Sequence, residues 1–282
     1  MDQTMDQIPK PVRSALFAAS LIGAAGFAML PASQASPLTQ KDAENPAATP
    51  SAARENDRLR SVALSDAFER PDTCRGFDPV KRYGPELQFQ IRRNDAPVGR
   101  HSVTFNQGRD GLQVIAQSNI DISFLGFNAY SFAYRSESMW QGNQLTRLSV
   151  TVDDDGKKTS VRATRDQDRL IVDGPDGIQT VPAGIFPTDH WHCGVLAGKS
   201  VLNTITGKAN AVDITPYGSE MLRTTNGTIQ ATEFTYDGEL ETNAWYDHQG
   251  RWVGLQFKAR DGSTITYRCM NCQTRTARKD QG

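Results

Sequence analysis

Apolar positions along the chain change their period close to residue 85. Between residues 53 and 70 they recur at helical spacing, and Pro71 then stops the pattern, so a short N-terminal helix is predicted. From Leu87 onward apolar and polar residues alternate, which is typical of strands with one buried face. The alternating sets are Leu87/Phe89/Ile91, Val103/Phe105, Val161/Ala163, Leu170/Val172, Phe234/Tyr236, Leu255/Phe257 and Ile265/Tyr267.

Turn-forming dipeptides separate these alternating runs. Seven Asp-Gly or Asn-Gly pairs lie between them, and such pairs supply the positive φ angles that tight hairpin turns require. The gaps are too short for the crossover helices that a parallel sheet needs. The sequence therefore predicts an all-β, up-and-down antiparallel meander of about 10–12 strands, which favours a curved half-barrel or a closed barrel.

One segment near residues 188–206 interrupts the meander. Thr188 is a suitable helix N-cap there, and Trp191 and Val195 share a helical face. We therefore predict a single β-rich domain over residues 72–272, with a short helical interruption between its two sheet halves.

The N-terminal region predicts export. Lys10 and Arg13 precede an uncharged run over residues 14–30, and small residues follow at 33–35, where a signal peptidase would cut. Residues 1–35 are therefore predicted to be a Sec-type signal peptide that directs the chain to the periplasm or the exterior of a bacterium. The run also reaches the lower length limit of a membrane span, so an uncleaved anchor with membrane contact is the alternative.

Composition and charge narrow the choice of partner. Residues 36–71 are rich in small and polar residues and predict a linker that includes the short helix, and residues 273–282 predict a solvated basic tail. Over the whole chain 31 basic residues balance 32 acidic ones. A nucleic-acid-binding surface normally requires a basic excess, so no nucleic-acid partner is predicted.

A strongly apolar segment runs from residue 120 to residue 140. It is too apolar for a half-exposed hairpin, so it is either a strand pair buried on both faces or the wall or lip of a ligand cavity. Tryptophans elsewhere could pack in the core or line the same cavity. The candidate pocket residues are Phe124, Phe127, Tyr130, Phe132, Tyr134, Trp140, Trp191 and Trp245.

The four cysteines are predicted to form disulfides, because an exported chain meets an oxidising environment. Cys74 precedes the first strand, while Cys269 and Cys272 end the last, and the two ends of a meander that closes on itself are neighbours. We therefore expect Cys74 to bond one member of the C-terminal pair and Cys193 to bond the other.

Metal binding is the alternative for the same region. Imidazole and thiolate groups suit zinc or copper, and His190, His192, Cys193, Cys269 and Cys272 would be the ligands. A second CxxC pair that would complete a familiar zinc pattern does not occur.

Catalytic signatures are weak by comparison. A triad of Ser200 or Cys193 with His190 and Asp189 lacks a nucleophile elbow, and residues 153–156 lack the later glutamate of a calcium loop. The sequence therefore contains no recognisable catalytic machinery, which favours a non-enzymatic role over a metalloenzyme.

Short motifs follow one another along the domain in an order that resembles an exported bacterial family of unknown function. The resemblance covers about residues 83–268, and it implies export, a curved antiparallel sheet and no particular activity. The architecture is also similar to that of periplasmic lipoprotein-carrier half-barrels, which hold acyl chains in an apolar concavity. The motifs are APVGRH at 96–101, ESMW at 137–140, TDHW at 188–191, LNTITG at 202–207, WYD at 245–247, GRWV at 250–253 and DGS at 261–263.

Three hypotheses for function follow from these observations. The first is an exported, non-enzymatic, barrel-like protein that binds an apolar, lipid-like ligand or an envelope partner. The second is an envelope metal-binding protein or metalloenzyme that uses His190, His192 and Cys193. The third is a purely structural or assembly protein of the envelope.

Overall fold

The computed structural model describes residues 74, 76–125 and 127–272. The predicted signal peptide, the linker with its short helix, and the basic tail lie outside the described residues. Within the described part of the chain, no helix is both long enough and apolar enough to cross a membrane.

The described residues form one short α-helix, one 3-10 helix and fifteen strands. In chain order these are α1 (Pro79–Tyr83), β1 (Glu86–Arg93), β2 (Ala96–Gly108), β3 (Gly111–Phe124), β4 (Phe127–Gln141), β5 (Gln144–Asp154), β6 (Lys157–Asp166), β7 (Arg169–Gly174), β8 (Gly177–Pro182), β9 (Phe186–Pro187), the 3-10 helix (Cys193–Ala197), β10 (Ser200–Leu202), β11 (Ala209–Thr224), β12 (Gly227–Gly238), β13 (Thr242–Tyr246), β14 (Trp252–Lys258) and β15 (Thr264–Cys269).

The strands build one sheet in the order β8-β7-β6-β5-β4-β3-β2-β1-β15-β14-β13-β12-β11-β10-β9. Neighbours are antiparallel except β9 and β10, so the predicted all-β meander is confirmed, with fifteen strands where about 10–12 were predicted. The first and last long strands pair, with Phe89 opposite Cys269. The sheet is not closed by strand pairing. Instead, the loop after β10 contacts the opposite edge, where Lys208 pairs with Asp176 at 2.6 Å.

Residues 186–207, here called the plug segment, lie inside the curve of the sheet. Inward-facing side chains from both halves of the sheet contact it: the Trp191 ring centroid is 5.5 Å from that of Phe105, and the His190 centroid is 5.5 Å from that of Tyr236. The predicted helical interruption is therefore real, and it fills the concavity that a hollow barrel would leave empty.

The local capping of this helical segment differs from the prediction. His192, rather than Thr188, is the N-cap of the 3-10 helix, and its Nδ1 accepts a hydrogen bond of 2.9 Å from the Gly194 backbone N–H. The Thr188 hydroxyl instead accepts a bond of 3.2 Å from the backbone N–H of Thr204. Thr188 therefore links the start of the plug segment to Thr204 by a hydrogen bond instead of capping a helix.

The two ends of the sheet are different. At one end, here called the plug end, α1 and the 3-10 helix cover the strands with aromatic rings; at the opposite end, the tip end, the β1–β2, β3–β4, β5–β6 and β7–β8 turns leave the sheet. The covering cluster consists of Phe77, Tyr83, Phe105, Trp140, Phe186, Trp191 and His192.

The disulfide pairing differs from the prediction. Cys74 is bonded to Cys193, and Cys269 is bonded to Cys272. Strands β1 and β15 are neighbours, as predicted, but Cys74 is bonded away from their ends. This residue lies upstream of α1, which carries it across the plug end to the 3-10 helix. Cys272 is held beside β15, because its carbonyl accepts a bond of 3.0 Å from Arg251.

The β11–β12 hairpin covers part of the outer face. A register shift near Pro216 bends it, so that Glu220 accepts a bond of 2.7 Å from the Trp245 indole. Leu222 lies so close to Gly254 that a Cβ added there would be 2.7 Å from its Cδ2. Strands β13 and β14 are consequently buried on both faces.

Candidate functional site

A small polar cavity lies between the sheet and the plug segment. Its volume is about 30 Å³. The polar groups that line it include His101, Ser118, Tyr134, Thr188, Asp189, His190, Thr204 and Tyr267. His101 is in phase with Val103 and Phe105 on β2, so it faces inward where an apolar residue would be expected. A polar residue at an inward position is the sequence signal that could have identified this site.

Asp189 is the only carboxylate among the described residues lining this cavity. Its Oδ1 lies 2.8 Å from the Tyr134 hydroxyl, which in turn lies 2.9 Å from the Thr204 hydroxyl. Its Oδ2 has no hydrogen-bond partner among the described residues. Burial raises the pKa of Asp189 to about 6, and the hydrogen bond from Tyr134 opposes part of that rise.

His190 occupies a strained position in the plug segment. Its φ of 57° is in the left-handed region, which costs a non-glycine residue about 1–2 kcal/mol. The surrounding contacts fix this conformation, because the Tyr246 hydroxyl donates a bond of 2.8 Å to the His190 carbonyl. Burial lowers the pKa of the imidazole to about 3.

His101 faces the same cavity from β2. Its Nδ1 is 2.7 Å from the Ser118 hydroxyl, and burial together with the nearby His190 lowers its pKa to about 3. The Nε2 atoms of both His101 and His190 have no hydrogen-bond partner among the described residues. The cavity thus combines room for one or two water molecules with polar atoms that can bind them. It is far smaller than the roughly 300–1,000 Å³ of a typical ligand pocket.

Among the residues predicted to form an apolar pocket, those whose side chains the structure describes do not come together around a cavity. Tyr130, Phe132, Tyr134, Trp140, Trp191 and Trp245 are each exposed by only 1–7%. Trp140 and Trp191 belong to the plug-end cluster, while Trp245 lies on the outer face beneath the β11–β12 hairpin. Phe127 is 78% exposed, and Phe124 pairs with it at the end of β3.

The residues predicted as metal ligands are also separated in their contacts. Cys193, Cys269 and Cys272 are bonded in disulfides, which leaves no thiolate to coordinate a metal. His190 contacts Tyr236, whereas the ring of His192 packs between aromatic side chains and burial lowers its pKa to about 4. Over the described ranges, no three His, Cys, Asp or Glu side chains are arranged to hold an ion.

The tip of the β3–β4 hairpin is the most exposed apolar feature of the described chain. Leu125 is 81% exposed and Phe127 78%. Pairing between β2 and β3 stops at Gly99 and Ile120, but pairing between β3 and β4 continues to Phe124 and Phe127, so the hairpin projects from the body. We call Leu125 and Phe127 the apolar tip.

Comparison with known proteins identifies the family. Residues 89–270 match the family model described as a domain of unknown function, DUF6134. A search of curated proteins finds no match. Among solved structures, the chain is similar to a β-barrel-like protein of the domain of unknown function DUF1849 from Brucella abortus. The TM-score is 0.47 at 11% identity, over 66% of this chain and 95% of that one.

Proposed function

Because the chain belongs to the DUF6134 family, a domain of unknown function, we propose its role from its own geometry. We propose that it is an exported, non-enzymatic envelope protein in which a filled, barrel-like scaffold holds the apolar tip against a lipid surface. The observation that carries this proposal is the exposure of Leu125 and Phe127, at 81% and 78%, on a projecting hairpin.

The filled interior favours binding on the outside. The plug segment occupies the concavity, and the cavity beside it measures only about 30 Å³. An acyl chain would have to displace Trp191, which is 2% exposed and packs against Trp140. These observations therefore favour binding of a lipid-like ligand at the apolar tip over binding inside the sheet.

The chemistry of the hairpin favours lipid as the occupant. Residues 122–134 carry no charged side chain. Register pairing of β3 with β4 up to the turn satisfies most backbone N–H and C=O groups, which an apolar environment requires. Full burial of the two side chains would contribute about 3–6 kcal/mol before ordering costs, which suits a reversible surface contact.

Export is supported by the two disulfides, which form and persist in oxidising compartments. The N-terminal sequence reads as a signal peptide, which fits the same location. A location in the envelope would place the apolar tip close to a lipid bilayer.

Vesicle co-sedimentation of the purified chain tests this proposal. We expect the wild-type protein to sediment with phospholipid vesicles and the double variant Leu125→Ser/Phe127→Ser to lose at least tenfold in partitioning. Met221→Ser is the matched control, because Met221 is an exposed apolar residue on a different hairpin, at 61% exposure, and should leave partitioning unchanged. Wild-type protein that stays in the supernatant at every lipid concentration would rule out lipid and leave a protein partner for the tip.

A further inference from the structure

Three arginines meet on the outer face of the sheet, where the end of the β11–β12 hairpin lies over β15 and β1. They line an open pocket of about 550 Å³. Residues that line this pocket include Gln90, Arg92, Arg223, Thr228 and Arg268. None of these arginines belongs to the polar cavity or to the apolar tip.

Strand register places two of these arginines together. Phe89 and Ile91 face the core, so Gln90 and Arg92 face outward from β1. Gln90 pairs with Arg268 of β15, which likewise faces outward. The Arg92 guanidinium is held in place, because its Nη1 donates a bond of 2.7 Å to Gln90.

The hairpin brings the third arginine from a distant part of the chain. The Thr225 backbone N–H donates a bond of 2.9 Å to the Cys269 carbonyl, and the Asn226 side chain donates one of 3.0 Å to the Met270 carbonyl. These bonds anchor the turn beside β15. Arg223, which pairs with Thr228 near that turn, is thereby placed over the same pocket.

The positive charges in this pocket exceed the negative ones. Among the described residues, the ion pairs of Arg92 and Arg268 are both with Asp95, at 3.7 and 3.3 Å, and the Asp95 side chain is 86% exposed. Burial lowers the pKa of Arg268, and repulsion from the charges of Arg92 and Arg223 lowers it further, while the Asp95 carboxylate opposes these effects. A bound anion would relieve this repulsion.

We propose that Arg92, Arg223 and Arg268 bind a phosphate-type dianion. Guanidinium groups match the oxygen geometry of phosphate and can each donate two parallel hydrogen bonds. The pocket is large enough for a phosphate ester with its attached group. The same chemistry is presented by a soluble phosphate monoester and by the phosphate headgroup of a lipid.

Binding of inorganic phosphate and of glycerol phosphate, followed by calorimetry, tests the site. Arg223 is exposed, so Arg223→Gln should fold normally, and we expect it to weaken phosphate binding about tenfold, as for loss of one charged hydrogen bond. Arg162→Gln removes the same charge from an exposed position on β6 and should change nothing. Equal losses in both variants, or a wild-type protein that binds neither phosphate compound nor anionic vesicles, would overturn the proposal.

Vesicles of different composition then distinguish the two sources of phosphate. Glycerol phosphate binding without a preference for phosphatidic acid vesicles over phosphatidylcholine vesicles would identify a soluble ester as the ligand. A preference for phosphatidic acid that Arg223→Gln abolishes would identify a lipid headgroup. The variant without the apolar tip should still bind glycerol phosphate, so this inference can succeed or fail independently of the proposed function.

Discussion

The two ends of the sheet place apolar side chains in opposite environments. At the plug end Trp140 and Trp191 are 1% and 2% exposed and pack edge to face at 5.2 Å between ring centroids. At the tip end Phe127 is 78% exposed and Leu125 81%. Buried aromatic area contributes to the free energy of folding, whereas exposed aromatic area can contribute to binding. An apolar sequence segment therefore does not by itself locate a ligand cavity.

The largest expected difference between the ends concerns the Cys74–Cys193 disulfide. It closes a loop over a sequence separation of 119 residues and ties the plug end together. Replacing both cysteines by serine should reduce the free energy of unfolding by about 4–5 kcal/mol, since the unfolded chain regains loop entropy. Urea unfolding measured by circular dichroism would give this value.

The second disulfide is the internal control for that experiment. Cys269 and Cys272 are separated by 3 residues, so Cys269→Ser/Cys272→Ser should destabilise the protein much less. If the two double variants lost equal stability, the plug end would not depend on its long-range bridge.

The disulfides also show which contacts could be predicted from the sequence and which could not. The alternation of apolar residues correctly predicted the strands, and the expectation that the two ends of the meander meet correctly placed β1 beside β15. The pairing of Cys74 could not be obtained in this way, because it depends on where α1 places a residue that belongs to no strand. Local periodicity determines elements, but long-range contacts of irregular segments depend on packing.

Turn chemistry was predicted only in part. At the β5–β6 turn, Asp155 and Gly156 take the two central positions with positive φ, as expected for an Asp-Gly pair. The β1–β2 turn achieves the same geometry with Asn94 and Asp95, and no glycine marks it in the sequence. Both residue types tolerate this region because their short polar side chains bond locally.

The candidate sites were harder to predict than the fold. The apolar segment around Leu125 and Phe127 is evident in the sequence, but whether it is buried or projecting depends on where β2 stops pairing with β3. Arg92, Arg223 and Arg268 are distant in sequence, and only the fold of the β11–β12 hairpin over β15 brings them together. No local pattern could have grouped them.

The stability of the protein should depend on pH through four buried titratable groups. The pKa values of His101, His190 and His192 are lowered by burial, so their contribution to stability is complete above about pH 6.5 and is lost as the pH falls. The pKa of Asp189 is raised to about 6, so its contribution is present below about pH 4 and is lost as the pH rises. The three histidines outweigh the single aspartate. Together these four groups should make the free energy of unfolding increase with pH by roughly 2–3 kcal/mol per pH unit between pH 4 and 6.

Asp189→Asn isolates the opposing contribution in this pH profile. The variant keeps an acceptor for Tyr134 but removes the cost of an ionised, buried carboxylate, so at pH 7 it should gain roughly 2–3 kcal/mol over the wild type. Its advantage should shrink as the pH falls from 6 to 4. Urea unfolding across this range measures the effect, and His248→Gln, at an exposed histidine, serves as control. An advantage that did not vary with pH would contradict the raised pKa of Asp189.

The smallest expected effect on stability belongs to the apolar tip. Leu125 and Phe127 contribute little to the core, so replacing both by serine should change the free energy of unfolding by less than about 0.5 kcal/mol. Thermal unfolding without lipid would measure this directly. A loss of several kcal/mol would mean that the tip packs against the body in solution. An unchanged unfolding temperature together with lost vesicle binding would instead separate the two ends, because stability would then reside in the plug end and recognition in the tip.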